Sequence, residues 1–418
     1  MELPVPPRDD PEAAARWVDR HLGDLAGDGP ARPSAAFRGG QAAADAALSA
    51  WPVAGYAGAR NEVWPPERRG ASRLSPYVRH GLIDLPRLWD HVAGGPARDV
   101  RRFRDELLWQ EYARHLYARL GGRVTRPLRA APPGGGGGEA WDRRMSCMDL
   151  TAGELERDGW VPNQARMWMA SQWSVRHGLP WRDGERRFFA HLLDGSRAAN
   201  ALGWQWVAGT ATGRRYGFAR LQVLRRAPGL CDGCALRDAC PIAAYPDDGP
   251  VHRLPAPDLL RHDSDPGATA GPSAPSGRNW NSGVAIAPSG EGDADAVWLT
   301  AESLGDADPA LAAHPDLPAV FVWDAPMLAR LRLSGKRLVF LAETLADLAS
   351  RRDLTVLRGD PVALLSGRRL AVTFAPVPGF RRRAAAIGPA VVHPWPWLRR
   401  PHDGSVASFS AWVRRARA

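Results

Sequence analysis

Gly159-Trp160-Val161-Pro162-Asn163-Gln164-Ala165-Arg166-Met167 opens a stretch that passes through Pro180-Trp181-Arg182-Asp183-Gly184-Glu185 and closes with Leu193-Asp194-Gly195-Ser196-Arg197-Ala198-Ala199-Asn200-Ala201-Leu202-Gly203-Trp204-Gln205-Trp206. Read as helix, Trp160, Asn163, Arg166 and Met167 recur at spacings of three and four, so an aromatic ring, an amide, a cation and a thioether share one face. A helix that only fills a core carries apolar residues at such positions. The polar mixture therefore marks a binding surface.

The stretch resembles the flavin-binding domain of the photolyase and cryptochrome family, in which a GW-x-x-N-x-x-RM run and a D-G-x-x-x-x-N-x-x-GWQW run wrap around a U-shaped FAD. The resemblance extends in order from about Tyr56 to Tyr216. Upstream, Ala71-Ser72-Arg73-Leu74-Ser75-Pro76-Tyr77 is similar to the family's (T/S)SRLSPYLxxG run, which implies that Tyr56, Ser72, Arg73, Leu74 and Ser75 contact the FAD. Physically, serine hydroxyls and open N–H groups at a helix start, with Arg73 beside them, make an anion site. Standing alone, the segment would read as a helix N-cap.

Phe103 to Leu120 predicts an amphipathic helix with Phe103, Leu107, Leu116 and Leu120 on its buried side. Its Glu106-Leu107-Leu108-Trp109-Gln110-Glu111-Tyr112 run is similar to the family's ExxWREF, where the Glu and Trp line the cavity for a flipped lesion. At i and i+3, Glu106 and Trp109 can face one site, a hydrogen-bonding carboxyl beside a stacking surface. Without the resemblance, a solvated Glu and a packed Trp would be the ordinary reading. The resemblance further implies that Asn163 and Met167 meet the substrate, and that Arg166, Asp194, Ser196 and Asn200 surround the flavin. It sets Trp204 nearest the flavin with Trp181 next outward, and Trp206 against the lesion. Ser196 departs from the family, which has a second Asp there, and no His occurs between Met145 and Arg176.

Only four cysteines occur: Cys147, then Cys231, Cys234 and Cys240 in a C-x2-C-x5-C-P arrangement. A four-thiolate zinc site and a 4Fe-4S cluster both suit that set. An iron-sulfur bacterial branch of the family has the same order of one Cys before the flavin helices and three after them, which favours the cluster over zinc.

Beyond a Pro-, Asp-, Ser- and Gly-rich segment the pattern changes to short apolar runs alternating with helices: Val297–Thr300, Val320–Trp323, helix Gly335–Ser350, Thr355–Leu357, Leu370–Phe374 and Val391–Val392. Such alternation predicts a parallel sheet with crossover helices. The expected fold is thus multidomain, α and α/β: an all-helical FAD-binding domain over 1–250 with the four-Cys site, a linker over 251–279, and a Rossmann-like α/β domain over 280–418. Val297 to Leu311, Arg337 to Leu345 and Leu357 to Pro361 resemble parts of the α/β domain that comes first in ordinary family members, so the order implies a circular permutation. The Arg pair that opens that domain in the family is Ala301-Glu302 here, and no antenna chromophore is assigned.

The 418 residues carry a net charge of +10, which favours a polyanionic partner, although an Arg-rich composition also follows from base composition. No apolar run reaches membrane-spanning length and none follows Met1, so the expectation is a cytoplasmic monomer without a membrane partner. The resemblance implies light-driven splitting of cyclobutane pyrimidine dimers in UV-damaged DNA, with the lesion flipped into the flavin cavity. Repair of (6-4) photoproducts and a repair-free blue-light sensor are the alternatives.

Overall fold

The computed structural model describes residues 1–246, 251–255, 293–402 and 405–416. Apart from 251–255, the expected linker over 251–279 lies outside the described residues, as does the start of the 280–418 segment.

Six strands form one sheet: β1 (Glu2–Leu3), β2 (Ala296–Leu299), β3 (Ala319–Asp324), β4 (Leu354–Gly359), β5 (Leu370–Thr373) and β6 (Val391–His393), in the order β1-β4-β3-β2-β5-β6. Strands β2 to β6 are parallel and fall within a residue or two of the apolar runs. Alternate residues feed two cores: Val297 and Leu299 face one, Ala296 and Trp298 the other. Strands buried on both faces read as continuous apolar runs, which is why they were visible in the sequence. Strand β1 differs. It pairs antiparallel with β4, Glu2 opposite Leu357 and Leu3 opposite Val356, so the sheet is mixed rather than wholly parallel.

The helix Gly335–Ala349 is buried along nearly its whole length and organises the larger core. On one side lies the helix Pro11–Leu22, whose first turn is capped by Asp10 and opened by a proline. On another, the turn before the helix Gln41–Ala50 docks through three backbone N–H groups: Gly39 donates to Glu343 Oε2 (2.7 Å), Gly40 to Thr344 Oγ1 (3.1 Å) and Gln41 to Asp347 Oδ2 (2.7 Å). Gly40 sits at φ +107°, where a Cβ would strike the Asp347 side chain, so this docking requires glycine. Residues of the first fifty thus share a core with the sheet, and Trp160, Phe189 and Leu193 of the helical region join the same core.

A second core gathers the helices Ser146–Asp158, Asn163–Ser171, Trp181–His191 and Arg197–Ala208. The long helix Ala97–Leu120 spans both regions, with Phe103, Leu107, Leu116 and Leu120 buried as its periodicity predicts. Residues 395–402 and 405–416 return across that helix, ending in the helix Phe409–Ala416, and bury Val406 and Trp412 against it.

Candidate functional site

Five separated stretches meet in one cleft of about 910 Å³, its open mouth included. Tyr56, Arg60, Ser72, Arg73, Leu74, Ser75, Glu106, Trp160, Asn163, Arg166 and Asp194 all line it. Several of them are held by identifiable contacts. Tyr56 begins the short helix Tyr56–Ala59, whose free N–H groups at Gly55 and Ala57 donate to the Asp99 carboxylate (2.9 and 2.8 Å). These bonds hold the Asp99 carboxyl below the usual carboxylate range.

Arg73 adopts a left-handed backbone, φ +58°, uncommon for a side chain of its size. Its guanidinium lies over the rings of Phe37 (4.9 Å) and Trp160 (5.6 Å), and Trp160 Nε1 donates to Ser75 Oγ (3.0 Å). Trp160 precedes the helix Asn163–Ser171, which starts after Pro162, so it does not share a helical face with Asn163 and Arg166. The chain turn brings it to the same cleft instead. Met167 points to the second core.

Arg166 Nη2 pairs with Asp194 Oδ2 at 2.7 Å, and Arg166 Nε donates to Val161 O at 2.9 Å. Asp194 is nearly buried, its side chain 5% exposed. Its Oδ1 has no hydrogen-bond partner among the described residues. A buried carboxylate oxygen left unpaired in a cleft is costly, and a ligand donor at that point relieves the cost.

The loop bearing Asp194 is gripped from behind. Arg79 Nε donates to Gly195 O (2.8 Å), the buried Arg337 donates to Phe189 O and Gly195 O, and His80 Nε2 lies 3.2 Å from Leu193 O. Burial holds the Arg337 guanidinium down to about 9 and the His80 imidazole down to about 3, with neighbouring arginines adding to both. Arg337 belongs to the helix of the sheet domain, so that domain fixes the loop of the cleft. Neither Arg79 nor Arg337 carried a local signal of this role.

The other expected residues lie outside the cleft. Trp109 (46% exposed) stacks on Phe409, and Trp206 (43% exposed) lies 5.3 Å from Tyr216. Asn200 Nδ2 donates to the carbonyl and carboxylate of Glu185 (3.0 and 2.9 Å), and Ser196 sits at the N-cap of the helix Arg197–Ala208. Trp204 and Trp181 are buried in the second core. Trp173, which sequence reasoning missed, shares a gap with Trp204. A Cβ at Gly184 would lie 2.5 Å from Trp204 Cζ3 and 3.1 Å from Trp173 Cδ1. Trp173 is half-buried and borders Trp141 at 5.1 Å.

The four cysteines are unbridged. Burial, followed by the charges of Cys231, Cys234 and Cys240, pushes the Cys147 thiol up to about 12. Ser146 N donates to Cys234 Sγ at 3.5 Å, bringing the helix start to the three-cysteine segment. Among the described residues no group of three or more Cys, His, Asp or Glu stands at metal-holding spacing.

A family model described as the FAD binding domain of DNA photolyase matches residues 145–226. A deoxyribodipyrimidine photo-lyase of Thermus thermophilus is 34% identical over 220 residues, 49% of this chain and 50% of the relative. That of Vibrio cholerae is 32% identical over 162 residues, 35% of this chain and 34% of the relative. Among solved structures, a bacterial class III photolyase from Agrobacterium tumefaciens is 26% identical with a TM-score of 0.40, covering 48% of this chain and 44% of that one. The chain spans half or less of the length of these relatives. A helical flavin-domain signature, joined here to an α/β part, defines a class of flavoprotein. The likeness is to the photolyase/cryptochrome family, carried by the flavin-domain match over residues 145–226 and by relatives matched over half of their length or less. Among the described residues no helix is long and apolar enough to cross a membrane.

Proposed function

We propose that the protein is a light-driven repair enzyme for cyclobutane pyrimidine dimers in DNA, with FAD in the cleft between Ser72 and Asp194. The observation that carries this reading is the convergence of Tyr56, Ser72, Arg73, Ser75, Glu106, Asn163 and Arg166 around the unpaired Oδ1 of buried Asp194. An unpaired acceptor beside a cation, with serine hydroxyls at the far side, fits a ligand carrying ring N–H groups at one end and phosphates at the other. The names of the Thermus and Vibrio relatives support the reaction.

When bound and reduced, FAD supplies the light-absorbing donor of one electron, which the opened dimer returns. The chain's own residues do the rest. Ser72 and Ser75 offer hydroxyls and N–H groups to the diphosphate, and Arg166 with Asp194 orients the ring and stabilises negative charge on it. Glu106, held between Arg60 (3.4 Å) and Arg102 (3.5 Å), and Asn163 hydrogen-bond the flipped pyrimidines. Trp109 and Trp206 offer exposed rings for stacking, and the buried Trp204 and Trp181 conduct electrons toward the ring when it is oxidised.

Cys147, Cys231, Cys234 and Cys240 are assigned to a 4Fe-4S cluster that fastens the end of the helical body to the start of the helix Ser146–Asp158. Four thiol donors in one neighbourhood, three of them near enough to act on the fourth, suit such a cluster in chemistry. The sheet, with parallel order β4-β3-β2-β5-β6, is read as the family's Rossmann-like domain placed after the flavin domain instead of before it. The enzyme would work as a monomer in the cytoplasm.

The test is chromatography of a short DNA with one thymine cyclobutane dimer, incubated with chemically reduced protein in the dark and under blue light, with a (6-4) lesion in parallel. Light-dependent conversion of the cyclobutane dimer alone is expected. Conversion of neither lesion by flavin-loaded protein would sink the repair reading.

A further inference from the structure

The helix Phe409–Ala416 covers a residue on which the proposed reaction depends. Phe409 lies parallel to Trp109, ring centroids 3.9 Å apart and planes at 9°, yet Trp109 remains 46% exposed. Among the described residues the only other ring against Trp109 is the edge of Tyr112, at 5.9 Å. Phe409 is itself firmly seated. Trp412, one turn on, is fully buried against Tyr112 and His115, Tyr112 Oη donates to Val406 O (2.9 Å), and Arg129 donates to Ala407 O. One face of Trp109 is therefore covered by a ring whose helix is anchored, while the rest of the ring meets solvent.

The surroundings are basic. On the helix that carries Trp109, Arg98, Arg101 and Arg102 join Arg60 and Asp105 around a second open pocket of about 560 Å³, and Arg60 lines the cleft as well. In the last turn of the covering helix Arg414 and Arg415 are exposed. A flat exposed ring on an element that also carries guanidinium groups is how proteins grip unstacked bases and their phosphates. Backing the ring removes rotamer freedom that binding would otherwise have to quench.

We propose that the helix Phe409–Ala416 forms part of the DNA-binding face. Phe409 is a positioning residue that backs Trp109 so that its open face takes a pyrimidine of the lesion, and Arg414 and Arg415 take phosphates of the DNA. This rests on the repair reading above. It differs from a plug, in which Phe409 would occupy the place of the base.

The test uses the full chain, with binding to a dimer-containing single strand and to the intact strand measured at several salt concentrations. Phe409→Ala is expected to weaken dimer binding about 3- to 10-fold, the range for a lost aromatic pair. Phe409→Leu, which keeps bulk without a flat ring, should be equally weak, and Phe409→Tyr should restore wild-type affinity. Arg414→Gln with Arg415→Gln should keep the preference for damage and lower the slope of log K against log salt by about 1 to 1.5. Flavin content and thermal unfolding of each variant check the fold. Tighter dimer binding by Phe409→Ala identifies a plug and overturns the proposal, as does unchanged affinity in both aromatic-removing variants. If the wild-type protein repairs dimers while these outcomes hold, the inference falls alone. If wild type neither binds nor repairs them, it falls with the repair reading.

Discussion

Replacing Gly184 by alanine tests whether the seat of Trp204 is as tight as it looks. In an open helix the change would stabilise by about 1 kcal/mol, because alanine has the better helix propensity. Gly184 lies in the helix Trp181–His191, where the added methyl carbon would come 2.5 Å from Trp204 Cζ3 and 3.1 Å from Trp173 Cδ1. Carbon atoms prefer about 3.5–4 Å, so an indole must move by an ångström or more. Trp204 is only 2% exposed and its ring is met edge-on by Phe188 at 5.1 Å, which leaves it little room to retreat. Overpacking of this kind costs about 1–3 kcal/mol, and here the upper end applies. The net expectation is a loss of about 2 kcal/mol. Gly203, exposed within the helix Arg197–Ala208 with nothing inside 4 Å of its would-be Cβ, supplies the opposite case. Gly203→Ala should gain about 1 kcal/mol. Urea unfolding of the two variants, followed by far-UV circular dichroism, should therefore separate them by about 3 kcal/mol in opposite directions from wild type. A stabilised Gly184→Ala protein would refute the claim that Trp204 and Trp173 meet across a glycine-sized gap.

Four further outcomes are expected. Trp173→Phe should slow photoreduction of oxidised flavin more than Trp141→Phe does, measured by loss of the oxidised absorption band under blue light; equal rates would remove Trp173 from the path. Asp194→Asn leaves Arg166 without its buried partner, at a cost of about 3 kcal/mol, and should lower the flavin-to-protein ratio after purification. His80 is held down to about 3, chiefly by burial, so its folded value lies below its unfolded one. The stability this gives is complete above about pH 6.5 and falls by about 1.4 kcal/mol per unit as pH drops toward 3; the penalty of His80→Gln, read by urea titration, should shrink over the same interval. Cys147→Ser should reduce iron and acid-labile sulfide in the purified protein, and full retention of both would dismiss that residue as a ligand.

The cleft was largely legible because most of its residues come from three short motifs, each a few residues long. Ser72 to Ser75, Glu106, and Trp160 to Arg166 needed only their neighbours to be recognised. The strands β2, β3 and β5 were legible for a local reason too, since burial along their length imposes unbroken apolar runs. What escaped depends on pairs far apart in the chain. Arg337 reaching Gly195 and Phe409 reaching Trp109 are ordinary residues on ordinary helices, and Trp173, which reaches the gap beside Trp204, sits on the π-helical turn Gln172–Arg176. Their roles arise from docking. The helical reading of Trp160 failed on one residue, Pro162, which starts the helix after the tryptophan instead of before it.

The placing of helices before strands along the chain has a physical counterpart in how the two regions hold each other. The start of the chain crosses to the sheet: β1 extends its β4 edge, and the helix Pro11–Leu22 sets Trp17, Val18 and Leu22 into the core under the helix Gly335–Ala349. Residues 395–402 and 405–416 cross the other way and close the long helix Ala97–Leu120. Each region thus lends a segment to the other, and neither core is complete alone. Removing residues 1–25 exposes those three side chains' partners, at about 1.5–3 kcal/mol for each buried side chain lost, together with an open strand edge at β4. That sum approaches the whole stability of an ordinary domain, about 5–15 kcal/mol. The truncated chain should therefore fail to accumulate as folded protein, although it retains every residue lining the cleft. A folded, flavin-loaded truncation would show that the crossing segments are decoration.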